Sequence, residues 1–210
     1  NLSINDISTY QTDKYWIAEG SKGLRSIQRK GSNSFEALNE PIILDGPYSN
    51  SAFDIVCKND KVYMIIGGKD LLNGKRFDKG GYILTYDYDK WSFIDPKEAQ
   101  KKLNLPRNPR DYTSIAVTTD DSNDEIVYAS SMGDGVIQYK NGTPVQSYNE
   151  KNAFKETAGG YGSGYCYIDG LAFDKNGNLW MTSSEVNHAV LVLDKAGAWH
   201  RLVIEQLRGV

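Results

Sequence analysis

Apolar and polar residues follow a plan that recurs four times along the chain. Each repeat has an apolar strand, a turn rich in Asp, Asn, Lys and Gly, a second strand with an aromatic residue near its start, a Gly-containing loop and a further aliphatic strand. The aromatic residues of the second strands are Trp16, Tyr63, Tyr128 and Trp180, at intervals of 47 to 65 residues. Because a four-stranded blade takes roughly 40–50 residues before long loops are added, this spacing predicts a β-propeller.

Two kinds of strand can be distinguished within the repeat. Residues 168–173 carry apolar side chains toward both faces, as burial between neighbouring blades requires, whereas residues 140–148 are polar, as expected at an outer rim. We therefore predict an all-β fold, a β-propeller of about four four-stranded blades. The approximate bounds of the predicted blades are 1–50, 51–108, 109–164 and 165–210. The alternative is a β-sandwich, which has no physical reason to repeat the same turn chemistry and aromatic position.

The predicted blades are expected to form part of a larger ring. Propellers have roughly 4–8 blades, the four-bladed form is uncommon, and both ends of this chain fall at predicted blade edges. Further sequence, a second copy of the chain, or closure of the chain on itself would complete the ring, and the pattern does not distinguish these three.

Composition and charge argue against two classes of partner. The formal net charge is −3 and the isoelectric point is near 5.5, so the electrostatic attraction that drives most nucleic-acid binding is absent. No apolar run reaches the about 18–20 residues that would span a bilayer. The two cysteines, Cys57 and Cys166, are too few to define a disulfide framework. Cys57 is expected to be buried on an inner strand, and a disulfide between the two stays open for an exported protein.

One stretch of the chain resembles a known repeat. Residues 170–182, which read Gly-Leu-Ala-Phe-Asp-Lys-Asn-Gly-Asn-Leu-Trp-Met-Thr, resemble the two-component regulator propeller repeat, and residues 16–24 are a looser instance. The run 191–199 is most similar to the propellers of PorZ-type components of the type IX secretion system. The resemblance implies an extracytoplasmic propeller, in the periplasm or on the outer cell surface, from a secretion-associated protein or the sensor of a hybrid histidine kinase. The repeat has no catalytic residues to carry over.

Loop lengths predict where a ligand binds. In a blade, the loop between the second and third strands lies on the same face as the link to the next blade, and we call this the long-loop face. Every long insertion falls there: residues 39–51, 67–80, 95–111 and 149–167. The third of these insertions is predicted to contain a short helix with Asp95 as its N-cap and Pro96 in its first turn. Because function concentrates on loops held by a rigid scaffold, the long-loop face is the predicted binding surface.

Aromatic, cationic and ionisable side chains on this face are the candidate ligand-binding residues: Tyr48, Arg107, Arg110, Tyr161, Tyr165, Tyr167, Glu185 and His188. Tyrosine offers a rigid ring and a hydroxyl to sugars or peptides, and arginine binds phosphate or carboxylate. Further cations that could join such an anion site are Lys69, Lys75, Arg76 and Lys79. The alternative interpretation is a flexible linker whose tyrosines cover a blade edge, beside a solvated rim of cations.

Catalytic and metal-binding patterns are weak in this sequence. The two histidines, His188 and His200, are not placed beside a nucleophile elbow, because Gly-Tyr-Gly-Ser-Gly at 160–164 lacks a strand-to-helix context. The acidic run 120–125 has the density of a calcium loop but lacks its glycine and distal Glu, which favours a polar turn. No cofactor or metal is therefore predicted.

The pattern as a whole favours a non-enzymatic extracytoplasmic scaffold that recognises a glycan, a lipid-linked sugar or a protein partner, in association with type IX secretion. The first alternative is the periplasmic sensor propeller of a hybrid two-component histidine kinase. The second is a propeller lyase or glycosidase, which would need Asp or Glu side chains acting on the long-loop face.

Overall fold

The computed structural model describes residues 6–18, 24–40, 42, 46–49, 51–154, 165–184 and 186–204. The chain divides into two compact units, Asn1–Gly46 and Pro47–Val210, and each is described by itself. No helix among the described residues combines the length and the apolar character needed to cross a membrane.

The first unit is one antiparallel sheet. Its strands pair in chain order, namely β1 (Asp6–Gln11), β2 (Lys14–Ala18), β3 (Leu24–Arg29) and β4 (Phe35–Ala37). Ile17 of β2 is its buried apolar centre, only 1% exposed. The Asn39 side-chain oxygen accepts hydrogen bonds from both the backbone N–H and the hydroxyl of Ser26 at 2.7 Å, which ties the segment after β4 back to β3.

The second unit contains three further four-stranded antiparallel meanders, and the last two are joined into one eight-stranded sheet by a short pairing of Met132 and Gly133 with Tyr167 and Cys166. We call the three meanders the second, third and fourth sheets. The second sheet consists of β5 (Ala52–Lys58), β6 (Lys61–Ile66), β7 (Ile83–Asp87) and β8 (Lys90–Ile94). The third consists of β9 (Tyr112–Thr119), β10 (Glu125–Gly133), β11 (Gly135–Lys140) and β12 (Thr143–Tyr148). The fourth consists of β13 (Cys166–Phe173), β14 (Leu179–Ser183), β15 (Val190–Leu193) and β16 (Trp199–Leu202).

Two short helical elements lie in the links between these sheets. The helix α1 (Pro96–Leu103) follows β8, and its N-cap Asp95 accepts a hydrogen bond from the Lys97 N–H at 2.9 Å, as predicted. Asn104 ends it in the left-handed conformation, a common way to terminate a helix. A single π-helical turn (Glu150–Phe154) follows β12.

The third sheet is buried on both of its faces. Along β10, Ile126 and Tyr128 join a core cluster shared with the fourth sheet, whereas Val127 and Ala129 join a cluster shared with the second sheet. Because successive side chains of a strand point to opposite faces, a sheet between two other sheets needs apolar residues at consecutive positions. This is the burial expected for stacked propeller blades, and a two-layer sandwich would leave one face of each sheet in solvent.

Side chains connect the first strands of successive sheets. The Asp54 carboxylate of β5 accepts hydrogen bonds from the Ser114 hydroxyl at 3.0 Å and the Ile115 N–H at 3.1 Å, both on β9. On the other side of β9, the Thr113 hydroxyl donates to the Ile168 carbonyl of β13 at 2.6 Å. The strands β5, β9 and β13 are therefore neighbours, as the innermost strands of adjacent blades are expected to be.

Short turns and long loops lie at opposite ends of the sheets in the second unit. The turns between first and second strands and between third and fourth strands are tight, and Asp174 organises one of them by accepting from the backbone N–H groups of Asn176 and Asn178 at 2.9 Å each. The connections at the other end include residues 67–82, residues 95–111 and, within the part of the chain that is described, residues 149–154.

The two cysteines lie in different environments. Cys57 on β5 is exposed, so the expectation that it is a buried apolar residue is wrong, and its face of the strand carries Ile55, which is 58% exposed. Cys166 is buried, and burial raises the pKa of its thiol to about 12. Cys57 and Cys166 are not joined by a disulfide bond in this structure.

Candidate functional site

Five side chains from four connections of the long-loop face meet in the second unit. Arg76 comes from the β6–β7 loop, Arg107 and Arg110 from the link after α1, Asp134 from the β10–β11 connection, and Tyr165 precedes β13. We call this group the arginine–tyrosine cluster.

Asp134 is the centre of the cluster. Its Oδ1 accepts hydrogen bonds from Arg107 Nε at 2.9 Å and pairs with Arg107 Nη2 at 2.8 Å. Its Oδ2 accepts from the backbone N–H of Arg110 at 3.1 Å. Asp134 alone joins β10 to β11, and positive φ angles of 135° at Gly133 and 77° at Gly135 permit this abrupt connection. The carboxylate therefore has a fixed position from which it orients Arg107.

Two guanidinium groups flank the ring of Tyr165. The Cζ atoms of Arg76 and Arg107 lie 5.6 Å and 5.3 Å from the ring centroid, within the range of a cation–π interaction. Hydrogen bonding to Arg107 lowers the pKa of the Tyr165 hydroxyl, because the cation stabilises the phenolate. A Cβ at Gly133 would lie 3.2 Å from Arg76 Nη1 and 3.3 Å from the Tyr165 ring, so glycine permits this close packing.

The outer edge of the cluster faces solvent. Asp78 Oδ1 lies 3.5 Å from Arg76 Nη2 and 4.0 Å from Arg110 Nη1, and the side chains of Asp78 and Arg110 are 61% and 51% exposed. Exposed pairs of this kind are weak, because water and salt screen them. Arg76, Arg107 and Arg110 together with Asp78 and Asp134 carry a formal charge of +1, so an anionic ligand could replace Asp78 as a partner of the guanidinium groups.

Asp111 anchors the loop that carries Arg76. It is fully buried, and its carboxylate accepts hydrogen bonds from the backbone N–H groups of Asp78 at 3.1 Å and Lys79 at 3.0 Å. Burial raises the pKa of Asp111 despite these hydrogen bonds. Since residues 78 and 79 follow Arg76 in the same loop, Asp111 fixes the base from which Arg76 reaches Tyr165.

A pocket of about 350 Å³ adjoins the cluster. Arg107 and Asp134 form one wall, and the remaining lining residues come from the link after α1 and from the segment at the end of β12: Leu105, Pro106, Ser147, Asn149, Glu150 and Lys151. This volume is at the lower end of the range for small-molecule sites, roughly 300–1,000 Å³. It would accommodate a sugar ring or an amino-acid side chain beside the Arg107 guanidinium.

The structure brings some of the predicted site residues together. Arg107, Arg110 and Tyr165 belong to the cluster, and so does Arg76, a predicted contributor to an anion site. Tyr167 is only 3% exposed and packs edge-to-face against Tyr165, with ring centroids 6.4 Å apart. It therefore supports the Tyr165 ring from behind, and its own ring is covered.

The other predicted residues are not part of the cluster as described. Tyr48 stacks on Tyr82 at 4.7 Å and lies 4.6 Å from the Phe93 ring, and hydrogen bonding to Tyr48 raises the pKa of Tyr82 to about 12. These contacts place Tyr48 on the second sheet, in an aromatic group of its own. His188 lies in the β14–β15 connection and is half-buried. Tyr161 and Glu185 lie outside the described residues.

The carboxylates of the acidic run 120–125 pair with lysine side chains, Lys61, Lys140 and Lys195. Lys140 Nζ lies 2.8 Å from Oδ2 of both Asp120 and Asp124, and hydrogen bonding to Lys140 lowers the pKa of each carboxyl group. In the described part of the chain, no group of three or more His, Cys, Asp or Glu side chains is placed to hold a metal ion.

Comparisons with known proteins show the fold. No family model and no curated protein sequence matches the chain. Among solved structures, PorZ of Porphyromonas gingivalis, described as an essential bacterial surface component of the type IX secretion system, superposes with a TM-score of 0.62. The sequence identity is 23%, and the match covers 96% of this chain and 26% of that chain. The match thus corresponds to about a quarter of the length of PorZ.

Two further matches are more distant. The extracellular domain of a putative hybrid two-component system from B. thetaiotaomicron gives a TM-score of 0.44 at 11% identity, covering 95% of this chain and 22% of that one. A gluconolactonase from Xanthomonas campestris gives 0.43 at 13% identity, covering 95% and 61%. PorZ, a propeller protein, is the match that shows the fold. The prediction of an all-β propeller-type fold is therefore confirmed, while the identity of the ligand is a separate question.

Proposed function

We propose that this chain is a non-enzymatic extracytoplasmic binding scaffold whose long-loop face recognises a glycan, a lipid-linked sugar or a protein partner through an anionic group. The observation that carries this proposal is the meeting of Arg76 and Arg107 at the Tyr165 ring, with the exposed Arg110 beside Asp78 at the edge of the same cluster. Guanidinium groups bind carboxylate and phosphate through paired N–H donors, and an aromatic ring offers an apolar face to a sugar or a peptide.

The hydrogen bonding of the carboxylates supports binding over catalysis. Asp134 is engaged by Arg107 and the Arg110 N–H, and Asp111 is buried and accepts two backbone N–H groups. A glycosidase needs a pair of carboxyl groups that are available to the substrate on both sides of the scissile bond. These two carboxylates have structural partners instead: Asp134 holds the Arg107 guanidinium, and Asp111 holds the backbone of residues 78 and 79.

The cellular location is part of the proposal. PorZ is a surface component of the type IX secretion system, and by analogy we place this chain in the periplasm or on the outer cell surface, in association with that system. We also propose that the four meanders are blades, with the bounds given above, within a larger propeller completed by further blades or by a second copy.

A glycan array that contains neutral, carboxylated and phosphorylated glycans tests the anion preference. We expect binding to the acidic glycans, and a loss of tenfold or more in Arg107→Gln, because a hydrogen bond to a charged group contributes about 1.5–3 kcal/mol. Tyr165→Ala and Tyr161→Ala should also weaken binding. Lys101→Gln, on the exposed surface of α1, removes the same charge outside the cluster and should bind normally. Unchanged binding in the Arg107 and Tyr165 variants, or a preference for neutral glycans, would refute the proposal.

A further inference from the structure

Two adjacent leucines at the tip of the β6–β7 loop project into solvent. Leu71 is 80% exposed and Leu72 is 97% exposed, the highest values for large apolar side chains among the described residues. Phe77, on the returning arm of the same loop, is 46% exposed. A single exposed leucine needs no explanation, but two adjacent leucines at the end of a loop form an apolar tip.

Hydrogen bonds hold this tip in one conformation. The Asp70 N–H donates to the Lys75 carbonyl at 2.8 Å, and the Gly74 N–H donates to the Asp70 carbonyl at 2.8 Å. The Asp70 carboxylate accepts from the Leu72 N–H at 2.9 Å and from the Asn73 side-chain amide at 2.8 Å. These four hydrogen bonds lie within the turn, so they fix the backbone that carries the two leucines.

The base of the loop is attached to the sheets. Lys69 pairs with Asp169 of β13 at 2.6 Å, and Gly67 packs so closely against Asp111 and Tyr112 that a side chain at that position would clash with their backbone. The tip is therefore a fixed projection from the long-loop face. Because it is already ordered, little conformational entropy is lost when it is transferred from water to an apolar environment.

Cations flank the tip. Lys75 and Lys79 are exposed, and Lys79 Nζ lies 5.3 Å from the ring centroid of Phe77. Residues 70–79 contain three cations and two carboxylates, a net charge of +1. Asp70 faces inward to the turn that it stabilises, and the exposed Asp78 pairs with Arg76 at 3.5 Å, whereas Lys75 and Lys79 face solvent. An apolar tip with a basic collar matches the boundary between the headgroups and the acyl chains of an anionic lipid layer.

We propose that residues 70–79 form a membrane-contact loop, in which Leu71 and Leu72 insert at the boundary between headgroups and acyl chains, and Lys75 and Lys79 contact anionic headgroups. This contact uses side chains other than those of the arginine–tyrosine cluster, so it holds or fails independently of the proposed ligand site. The same leucines in the pocket of a protein partner are the competing interpretation, and that partner would not require lipid.

Co-sedimentation with phosphatidylcholine vesicles, prepared with and without phosphatidylglycerol, tests the proposal. We expect binding to the anionic vesicles and weaker binding to the neutral ones. Transfer of each leucine out of water is worth about tenfold or more in partitioning, so Leu71→Ser with Leu72→Ser should weaken binding about 100-fold. Leu202→Ser, at another exposed leucine, is the matched control and should bind as the wild type.

Charge reversal tests the contribution of Lys75 and Lys79 separately from that of the leucines. Lys75→Glu with Lys79→Glu should abolish the preference for phosphatidylglycerol, whereas Lys101→Glu with Lys102→Glu on α1 makes the same change in net charge and should retain it. On addition of vesicles, a blue shift of the tryptophan emission in Leu72→Trp, but not in Leu202→Trp, would report insertion of the loop. Circular dichroism of each variant would show that the variant is folded. Absence of wild-type binding to anionic vesicles, or equal binding by the double serine variant, would overturn the proposal.

Discussion

Removal of the Asp111 side chain is the most direct test of how the site is held together. Asp111 is fully buried and accepts the N–H groups of residues 78 and 79. Its φ angle is +48°, in the left-handed region that Asn and Asp tolerate better than Ala. Asp111→Asn keeps the backbone preference and one acceptor, whereas Asp111→Ala removes both acceptors and adds backbone strain.

The expected costs follow from these contacts. Each buried N–H left without a partner costs about 1–3 kcal/mol, and the strain in Ala adds about 1 kcal/mol. Removal of a charge that burial disfavours offsets part of this, so we expect about 3 kcal/mol for Asp111→Ala and about 1 kcal/mol for Asp111→Asn. For a chain of this size, 1 kcal/mol shifts Tm by roughly 2–4 °C, which thermal unfolding resolves. Equal Tm values for the two variants would refute the assigned hydrogen bonds.

The pH dependence gives a second test of the same residue. Because burial raises the pKa of Asp111, the folded state holds its proton more tightly than the unfolded state does. The stabilisation from this difference is complete below the unfolded pKa and is lost as the pH rises through the folded pKa. The Asn variant lacks it, so the stability of the wild type relative to Asp111→Asn should fall as the pH rises from acid toward neutral. If the stability of the wild type relative to Asp111→Asn instead increased with rising pH, the raised pKa of Asp111 would be contradicted.

Three further predictions concern the cluster and the sheets around it. Gly135→Ala should cost about 3 kcal/mol or more in urea unfolding, because its Cβ would overlap a backbone carbonyl. Gly197 has a similar positive φ, 87° against 77°, but open space around it, so Gly197→Ala should cost about 1 kcal/mol. Arg107→Gln should raise the pKa of Tyr165 toward its usual value, seen as a later midpoint at 295 nm after subtraction of a Tyr165→Phe titration. Asp174 has its pKa lowered to about 2, so its contribution is complete above about pH 4 and lost as the pH falls toward 2, and Asp174→Asn should lack that acid transition.

The strands could be predicted from the sequence because their signals are local. The turn at Asp174 and the N-cap at Asp95 are each determined by residues within a few positions, and both form as expected. Burial on both faces of β10 is also visible in its run of apolar residues. Cys57 shows where this reasoning fails, because an apolar strand pattern does not reveal which of its faces another sheet covers.

The site could be predicted only in part. Arg107, Arg110 and Tyr165 were identified as candidates from residue type and loop length, but which loops meet depends on how the sheets stack. Tyr48 is on the same predicted face, yet its ring packs on the second sheet. Asp134 gave no functional signal, because an aspartate between two glycines is typical of a turn, and its role follows from the distance to Arg107.

The location of the cluster has a simple structural cause. The β6–β7 loop extends over residues 67–82, whereas the equivalent connection of the third sheet is Asp134 alone. Because the β10–β11 connection is short and the connections beside it are long, space is left above Asp134. Arg76, Arg107 and Tyr165 enter this space from the adjacent connections. Their cations would repel one another there without the carboxylate of Asp134 beneath them. The short connection therefore provides both the space for the cluster and the charge that stabilises it, which is why the site forms over the third sheet.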